Sequence, residues 1–291
     1  MHPAPSVIVF TVFSGMGFGL LAFLGLGLPE STGWTAFFHW GLGYALAVGG
    51  LLASTFHLGN PQRFLRAFSQ WRSSWLSREA AASVAALLML APMALSDWLG
   101  LNWPRGFGYL GAGLCLATIA ATAMIYAQLK TVPRWNNWTT PALFLAFALT
   151  GGAILSGNGG AALVLIVLLL AALWAAFALG DTAFAARAQT MGTATGLGDL
   201  GQMRVFEAPH TAPNYLMREM IHHIGRKHVR ALRGIALICA GVLPALLLAL
   251  LPPVPLVFAA IAALHSLGAF ASRWLFFAQA EHVVGLFYGQ R

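Results

Sequence analysis

From Met1 to Pro29 the chain carries no Asp, Glu, Lys or Arg, and after Glu30 it carries none again until Arg63. A helix crosses about 30 Å of hydrocarbon with about 20 apolar residues, so each of these gaps has room for one crossing. Charged residues make up 8% of the chain and hydrophobic ones 59%, whereas a soluble domain carries about a quarter charged residues. Too few charges remain to coat a sphere of this size. A soluble enzyme, a disordered tail and a nucleic-acid-binding domain are therefore excluded, despite a formal net charge of +8.

The same reading along the chain predicts an all-α, eight-helix transmembrane bundle, one integral membrane domain over residues 1–291. Spans are expected near 5–27, 35–57, 79–97, 106–129, 139–156, 161–183, 234–251 and 255–277. The fifth and sixth are separated by Gly157-Asn158-Gly159-Gly160 and the last two by Pro252-Pro253-Val254-Pro255, because proline lacks the backbone donor a helix needs. The N-terminus runs straight into a membrane-length segment without a charged n-region, so no signal peptide is expected. Cys115 and Cys239 lie inside apolar runs and offer neither a disulfide framework nor a zinc pattern.

Eight crossings put both termini on one side. Arg63, Arg66, Arg72, Arg78, Lys130, Arg134, Arg187, Arg204, Arg218, Arg226, Lys227, Arg230 and Arg233 fall on that side, and only Glu30, Asp97 and Arg105 fall on the other. Basic loops stay cytoplasmic. Both termini are thus expected in the cytoplasm, with the basic loops facing an anionic leaflet. The long connection 184–233 is rich in Gly, Thr and Pro over 189–214. From 215 to 233 it sets Met217, Met220, Ile221, Ile224 and Leu232 opposite Arg218, Arg226, Lys227, Arg230 and Arg233. That spacing predicts a basic amphipathic helix, lying on lipid or against a partner.

The chemistry concentrates between the second and third spans. His57 and Glu79 stand at interface depth, with Arg63, Arg66, Arg72 and Arg78 and the tryptophans Trp71 and Trp75 between them. Tryptophan anchors helices at that depth and arginine marks the cytoplasmic side, so those residue types have a purely structural reading. Ionisable groups at span ends often mark ion or proton pathways. His57 reads either that way or as a hydrogen-bonded helix-end residue. Glu79 reads either that way or as a first-turn carboxylate behind an N-cap Ser77.

Three segments in order carry a family resemblance: His57-Leu58-Gly59-Asn60-Pro61 with Leu76-Ser77-Arg78-Glu79; Tyr126 to Trp135 with Thr140-Pro141; and Ser272-Arg273-Trp274-Leu275-Phe276-Phe277. Together they resemble the DmsC-type membrane anchors of dimethyl sulfoxide reductase-like complexes. That resemblance implies an anchor in the bacterial inner membrane holding an iron–sulfur subunit and a molybdenum subunit. It also implies electron exchange with a quinone (ubiquinone or menaquinone) at the residues matching His57 and Glu79. Met1 to Ile8, Gln70 to Glu79 and Gly225-Arg226-Lys227-His228 look most like the SoeC-type anchors of membrane-bound sulfite dehydrogenases. The long 184–233 segment departs from the shorter dimethyl sulfoxide reductase anchors.

Residue chemistry is consistent with that role. His57 can donate a hydrogen bond to a quinone carbonyl and relay a proton, and Glu79 can carry protons to the cytoplasm. Trp75 or Trp135 can pack on the ring, with Arg63, Arg72 and Arg78 completing the expected quinone site. Arg66, Arg134, Arg226, Lys227 and Arg230 are expected to dock the iron–sulfur partner. No cysteine set in the chain can ligate a cluster. Haem b is the rival cofactor: His39, His57, His265 and His282 lie on or near spans, and His39 and His57 are eighteen residues apart, five helical turns. No metal site is expected from His222, His223 and His228. A transporter is the rival class, and there intramembrane charges should line a midplane path between repeated halves.

Overall fold

A computed structural model describes residues 2–56, 60–207, 210–212, 214–221 and 228–289. Among the described residues all regular structure is helical. The long helices are α1 (Pro5–Gly25), α2 (Gly33–Thr55), α3 (Trp75–Leu99), α4 (Gly106–Ala127), α5 (Thr139–Leu155), α6 (Gly159–Ala186), α7 (Val229–Leu250) and α8 (Pro255–Ala278). Seven of these are long and apolar enough to cross a membrane; α5, at 17 residues, is apolar but shorter.

The breaks have local causes. Gly157 turns the chain with a positive φ of 72°, and Asn158 caps α6 by accepting from the Ala161 N–H at 3.0 Å. Pro252 and Pro253 interrupt the apolar run between α7 and α8. Helix α7 contains a π-turn over Ile238–Val242 just before Pro244. Pro244 offers no N–H to the carbonyl of Ala240 four residues earlier, and Nδ1 of His265 on α8 lies 3.1 Å from that carbonyl, placed to donate to it in the Nδ1–H tautomer.

Helix α1 is the central stave, buried along most of its length and packed against α2, α4 and α5. Its contact with α5 is backbone to backbone: a Cβ on Gly19 would overlap the Ala148 carbonyl, and one on Gly152 would overlap Gly19. Between helices in lipid, close approach of small residues replaces the hydrophobic drive available in water. Phe18, Leu20, Leu21, Leu90, Met93 and Cys115 fill the adjoining core.

The two ends of the bundle differ. At one end Asp97 accepts from Arg105 at 2.9 Å and from the Trp40 indole at 3.1 Å. At the other, the His2 N–H donates to the Glu219 carbonyl at 2.8 Å, and Asn214 donates to the Tyr288 hydroxyl at 3.0 Å. There too the Val283 N–H donates to the Thr131 carbonyl. Residues 2–4, 128–138, 214–221 and 279–289 therefore share one end, which is also the basic end.

Two expectations are corrected. Residues 215–233 do not form one amphipathic helix: Tyr215–Glu219 is a short helix that ends at Met220, and Val229 opens α7. The helical register of 229–233 is continuous with the apolar run that follows, so it is set by the long helix. Helix α3 begins at Trp75 behind Ser74, so Ser77 is not its N-cap and Glu79 lies beyond its first turn.

Candidate functional site

Glu79 faces the interior, 4% exposed. Its carboxylate is hydrogen-bonded to the Thr122 hydroxyl of α4, which also lies 3.0 Å from the Thr118 carbonyl. Tyr126, one turn further along α4, is within electrostatic reach of both Glu79 and Arg273 of α8. An aromatic wall of Tyr126, Trp135, Phe144, Phe276 and Phe277 encloses this region.

A groove lies at the start of α3, the helix that carries Glu79. The 3-10 helix Pro61–Phe68 runs across the end of α3, and between them is an open space of about 380 Å³ lined by Arg63, Phe64, Arg66, Gln70, Leu76 and Ser77. Its volume falls within the range of about 300 to 1,000 Å³ common for ligand pockets, with Phe64, Ala67 and Leu76 as its apolar residues. Arg63, Arg66 and Arg72 are exposed. Arg78 is held instead: it donates to the carbonyls of Trp71 at 3.0 Å and Arg72 at 2.7 Å and lies 4.3 Å over the Trp75 ring. One face of Trp75 is thereby covered.

His57 lies outside the described residues, as do Arg226 and Lys227. Asn60, the next described residue after Phe56, sits on the rim of the groove. Trp135 is not beside the groove. It is buried, donates through its indole N–H to the Phe276 carbonyl at 2.8 Å and stacks on Phe276. Arg134 pairs with Asp181 at 2.7 Å, and Arg233 takes the other side of the same carboxylate at 2.8 Å. Arg230 is exposed beside them.

The other histidines have their own partners or positions. His265 is fully buried, with Nδ1 on the Ala240 carbonyl and Nε2 3.3 Å from the Phe147 carbonyl. Both ring nitrogens therefore face backbone oxygens rather than a ligand. His282 Nδ1 accepts from the Val284 N–H at 3.0 Å. His39 is partly exposed on α2. No cluster of three or more metal-ligating side chains occurs among the described residues.

Sequence reading passed over Thr122, Tyr126 and Arg273 as site residues. Arg273 carried a usable signal, being the single charge between Arg233 and Glu281, and intramembrane charges are by default functional candidates. Thr122 carried none, because a threonine in an apolar helix commonly bonds its own backbone.

Three comparisons bear on the family. The model of the DMSO reductase anchor subunit (DmsC) matches residues 1–180, the first six long helices. A sulfite dehydrogenase subunit from Allochromatium vinosum is 29% identical to this chain over 99% of both sequences. No solved structure matches. The match takes in Glu79, Thr122 and the arginine-rich groove and displaces the transporter reading: the chain belongs to the DMSO reductase anchor subunit family, as a multi-pass membrane anchor of an oxidoreductase complex.

Proposed function

We propose that this chain is the quinone-reactive anchor of a molybdenum and iron–sulfur complex that oxidises sulfite. The observation that carries the quinone role is a carboxylate buried on α3 at Glu79, two residues after Ser77 of the arginine-lined groove at the basic end of the bundle. Resemblance along 99% of the chain to a sulfite dehydrogenase subunit favours sulfite. The family's other substrate, dimethyl sulfoxide, would run the chain's electrons the opposite way, from quinol to the partner.

In this reading all eight long helices cross the inner membrane of a bacterium. The shared position of the two termini supports an even count, and the basic end faces the cytoplasm by the positive-inside rule. The molybdenum subunit turns sulfite and water into sulfate, two protons and two electrons. The electrons pass through an iron–sulfur subunit docked on the exposed Arg63, Arg66 and Arg230. They reduce a quinone in the groove, which takes up two protons to become quinol.

The chain's own residues supply the rest. His57 holds one quinone oxygen by a hydrogen bond, and Glu79 delivers a proton from the cytoplasmic side. The phenyl ring of Phe64 and the side chain of Leu76 give the groove its apolar walls. Positioned acids and bases contribute about 10²–10⁴-fold in rate.

The test uses the assembled complex in native membranes. His57→Ala and Glu79→Gln are expected to lower sulfite-dependent quinone reduction by about 10²-fold or more, while sulfite oxidation with a soluble artificial acceptor persists. Wild-type quinone reduction in both variants would overturn the site.

A further inference from the structure

Arg273 lies on α8 within the bundle, 3% exposed, with its guanidinium 3.4 Å over the centroid of Phe144. Its Nη1 is buried and has no hydrogen-bond partner among the described residues. Burying a charge this deeply is costly unless something hydrogen-bonds it and balances it. The aromatic face supplies part of that balance, but no acceptor for Nη1.

The geometry offers one next to it. Arg273 lines a small, partly enclosed space of about 20 Å³ whose other walls include Thr122, Thr11, Ser14 and His265. A space of this size admits a single water, which needs two to four polar partners. Thr11 and Ser14 donate their protons to the carbonyls of Ile8 and Phe10, leaving oxygen lone pairs able to accept from a water. The water's own oxygen can accept from Nη1. Thr122, which lines the same space and is hydrogen-bonded to Glu79, can accept one of the water's two protons, leaving the other for Thr11 or Ser14.

Thr122 has one hydroxyl proton and two acceptors in reach, Glu79 and the Thr118 carbonyl. When Glu79 is a carboxylate, Thr122 must donate to it. When Glu79 is protonated, its O–H donates to the Thr122 oxygen and the threonine proton turns back to Thr118. The hydroxyl can thus serve either state of Glu79 without leaving a buried group unpaired, and its bond to the charged carboxylate is the stronger of the two.

We propose that Thr122 and Arg273, joined across one water in this cavity, form the charge-balancing half of the Glu79 proton site, which lets the buried side chain exist as a carboxylate after giving up its proton. Arg273 acts through Glu79 and is a positioning residue. The inference rests on the reading of Glu79 as a proton carrier, and its test separates the two. The other charged or titratable groups of the packed elements are accounted for. Arg78 of α3 is tied to Trp71 and Arg72, and Tyr44 of α2 donates to the Leu87 carbonyl. Tyr126 and Cys115 are on α4; Arg63 and Arg66 of the 3-10 helix are exposed; α1 has no Asp, Glu, Lys or Arg. His57 follows α2, outside the described residues.

The experiment follows the protonated-carboxyl C=O band of Glu79 by infrared titration of the intact complex, the band being assigned by its loss in Glu79→Gln. Arg273→Met and Thr122→Val are expected to make the band persist about one pH unit or more higher than in wild type. An opposite charge or a hydrogen bond to the carboxylate favours ionisation by amounts of that order. Arg273→Lys is expected to restore much of the wild-type titration. An unmoved band in Arg273→Met overturns the proposal. If that variant fails to assemble, Thr122→Val, close in shape to the native residue, decides in its place. A shifted band together with wild-type quinone reduction in Glu79→Gln would uphold the charge balance and refute the quinone role instead.

Discussion

The Glu79 carboxylate on α3 and the Thr122 hydroxyl on α4 are hydrogen-bonded in the protein interior, forty-three positions apart in sequence. This bond removes the simpler reading of Glu79 as a helix-start carboxylate. Glu79 stands at the fifth position of α3, past the free N–H groups that stabilise anions near a helix start. Its partner is instead a side chain on the neighbouring helix.

Exposure of the arginines at the groove leads to a prediction about assembly. Arg63 and Arg66 make no ion pair among the described residues and are exposed on the 3-10 helix, whereas Arg134 and Arg233 share Asp181. Arg63→Glu with Arg66→Glu is expected to weaken co-purification of the iron–sulfur partner, more strongly at low salt, since exposed charges are screened over about 10 Å at 0.1 M. Arg134→Gln is expected to have the smaller effect. Equal co-purification of all three would show that the partner docks elsewhere.

The shared end of the termini predicts the membrane topology. Reporters fused after Tyr288 and inserted at Lys130 should read cytoplasmic, and reporters at Asn158 and Asn102 should read periplasmic. A cytoplasmic signal at Asn158 would mean that the short helix α5 does not cross, leaving the crossings odd in number.

Close approach of α1 and α5 predicts a sharp intolerance to size. Gly19→Val would drive a side chain into the Ala148 carbonyl, a rigid backbone atom. Overpacking of this kind costs about 1–3 kcal/mol, and here the backbone on both sides limits relaxation. Thermal unfolding in detergent should show a clear loss of stability. Gly113→Val, at a position on α4 with open space around it, should not.

The long apolar helices are legible in the sequence because bilayer thickness fixes the length such a helix needs. Expected spans of 106–129 and 255–277 meet helices Gly106–Ala127 and Pro255–Ala278. Helix starts are less legible. The charge-free stretch 80–96 marks hydrocarbon, not hydrogen bonding, so charge alone places the start of α3 at Glu79 although it begins a turn earlier at Trp75. For the same reason α7 starts at Val229, inside a basic stretch. Arg63, Arg66 and Ser77 are close in sequence and line one groove, so that grouping could be read from local spacing. Thr122 and Tyr126 come near Glu79, and Arg273 near Tyr126, only through helix packing, which no local pattern encodes.

The π-turn in α7 gives the last prediction. Pro244 cannot donate to Ala240, and His265 makes up the loss from α8 through Nδ1. Proline in membrane helices is tolerated where a neighbour re-satisfies the freed carbonyl, and here that neighbour is a buried imidazole. His265→Leu should leave the Ala240 carbonyl without its donor and cost about 1–3 kcal/mol. Pro244→Ala returns a backbone N–H to that turn. The double variant should therefore be more stable than His265→Leu alone, although Pro244→Ala by itself should gain little in the presence of the histidine. This non-additivity, read by thermal unfolding of the four proteins, is the signature of one shared acceptor. Additive effects would mean that His265 is held by its contact with Phe147 and the cavity, and that the π-turn stands without it.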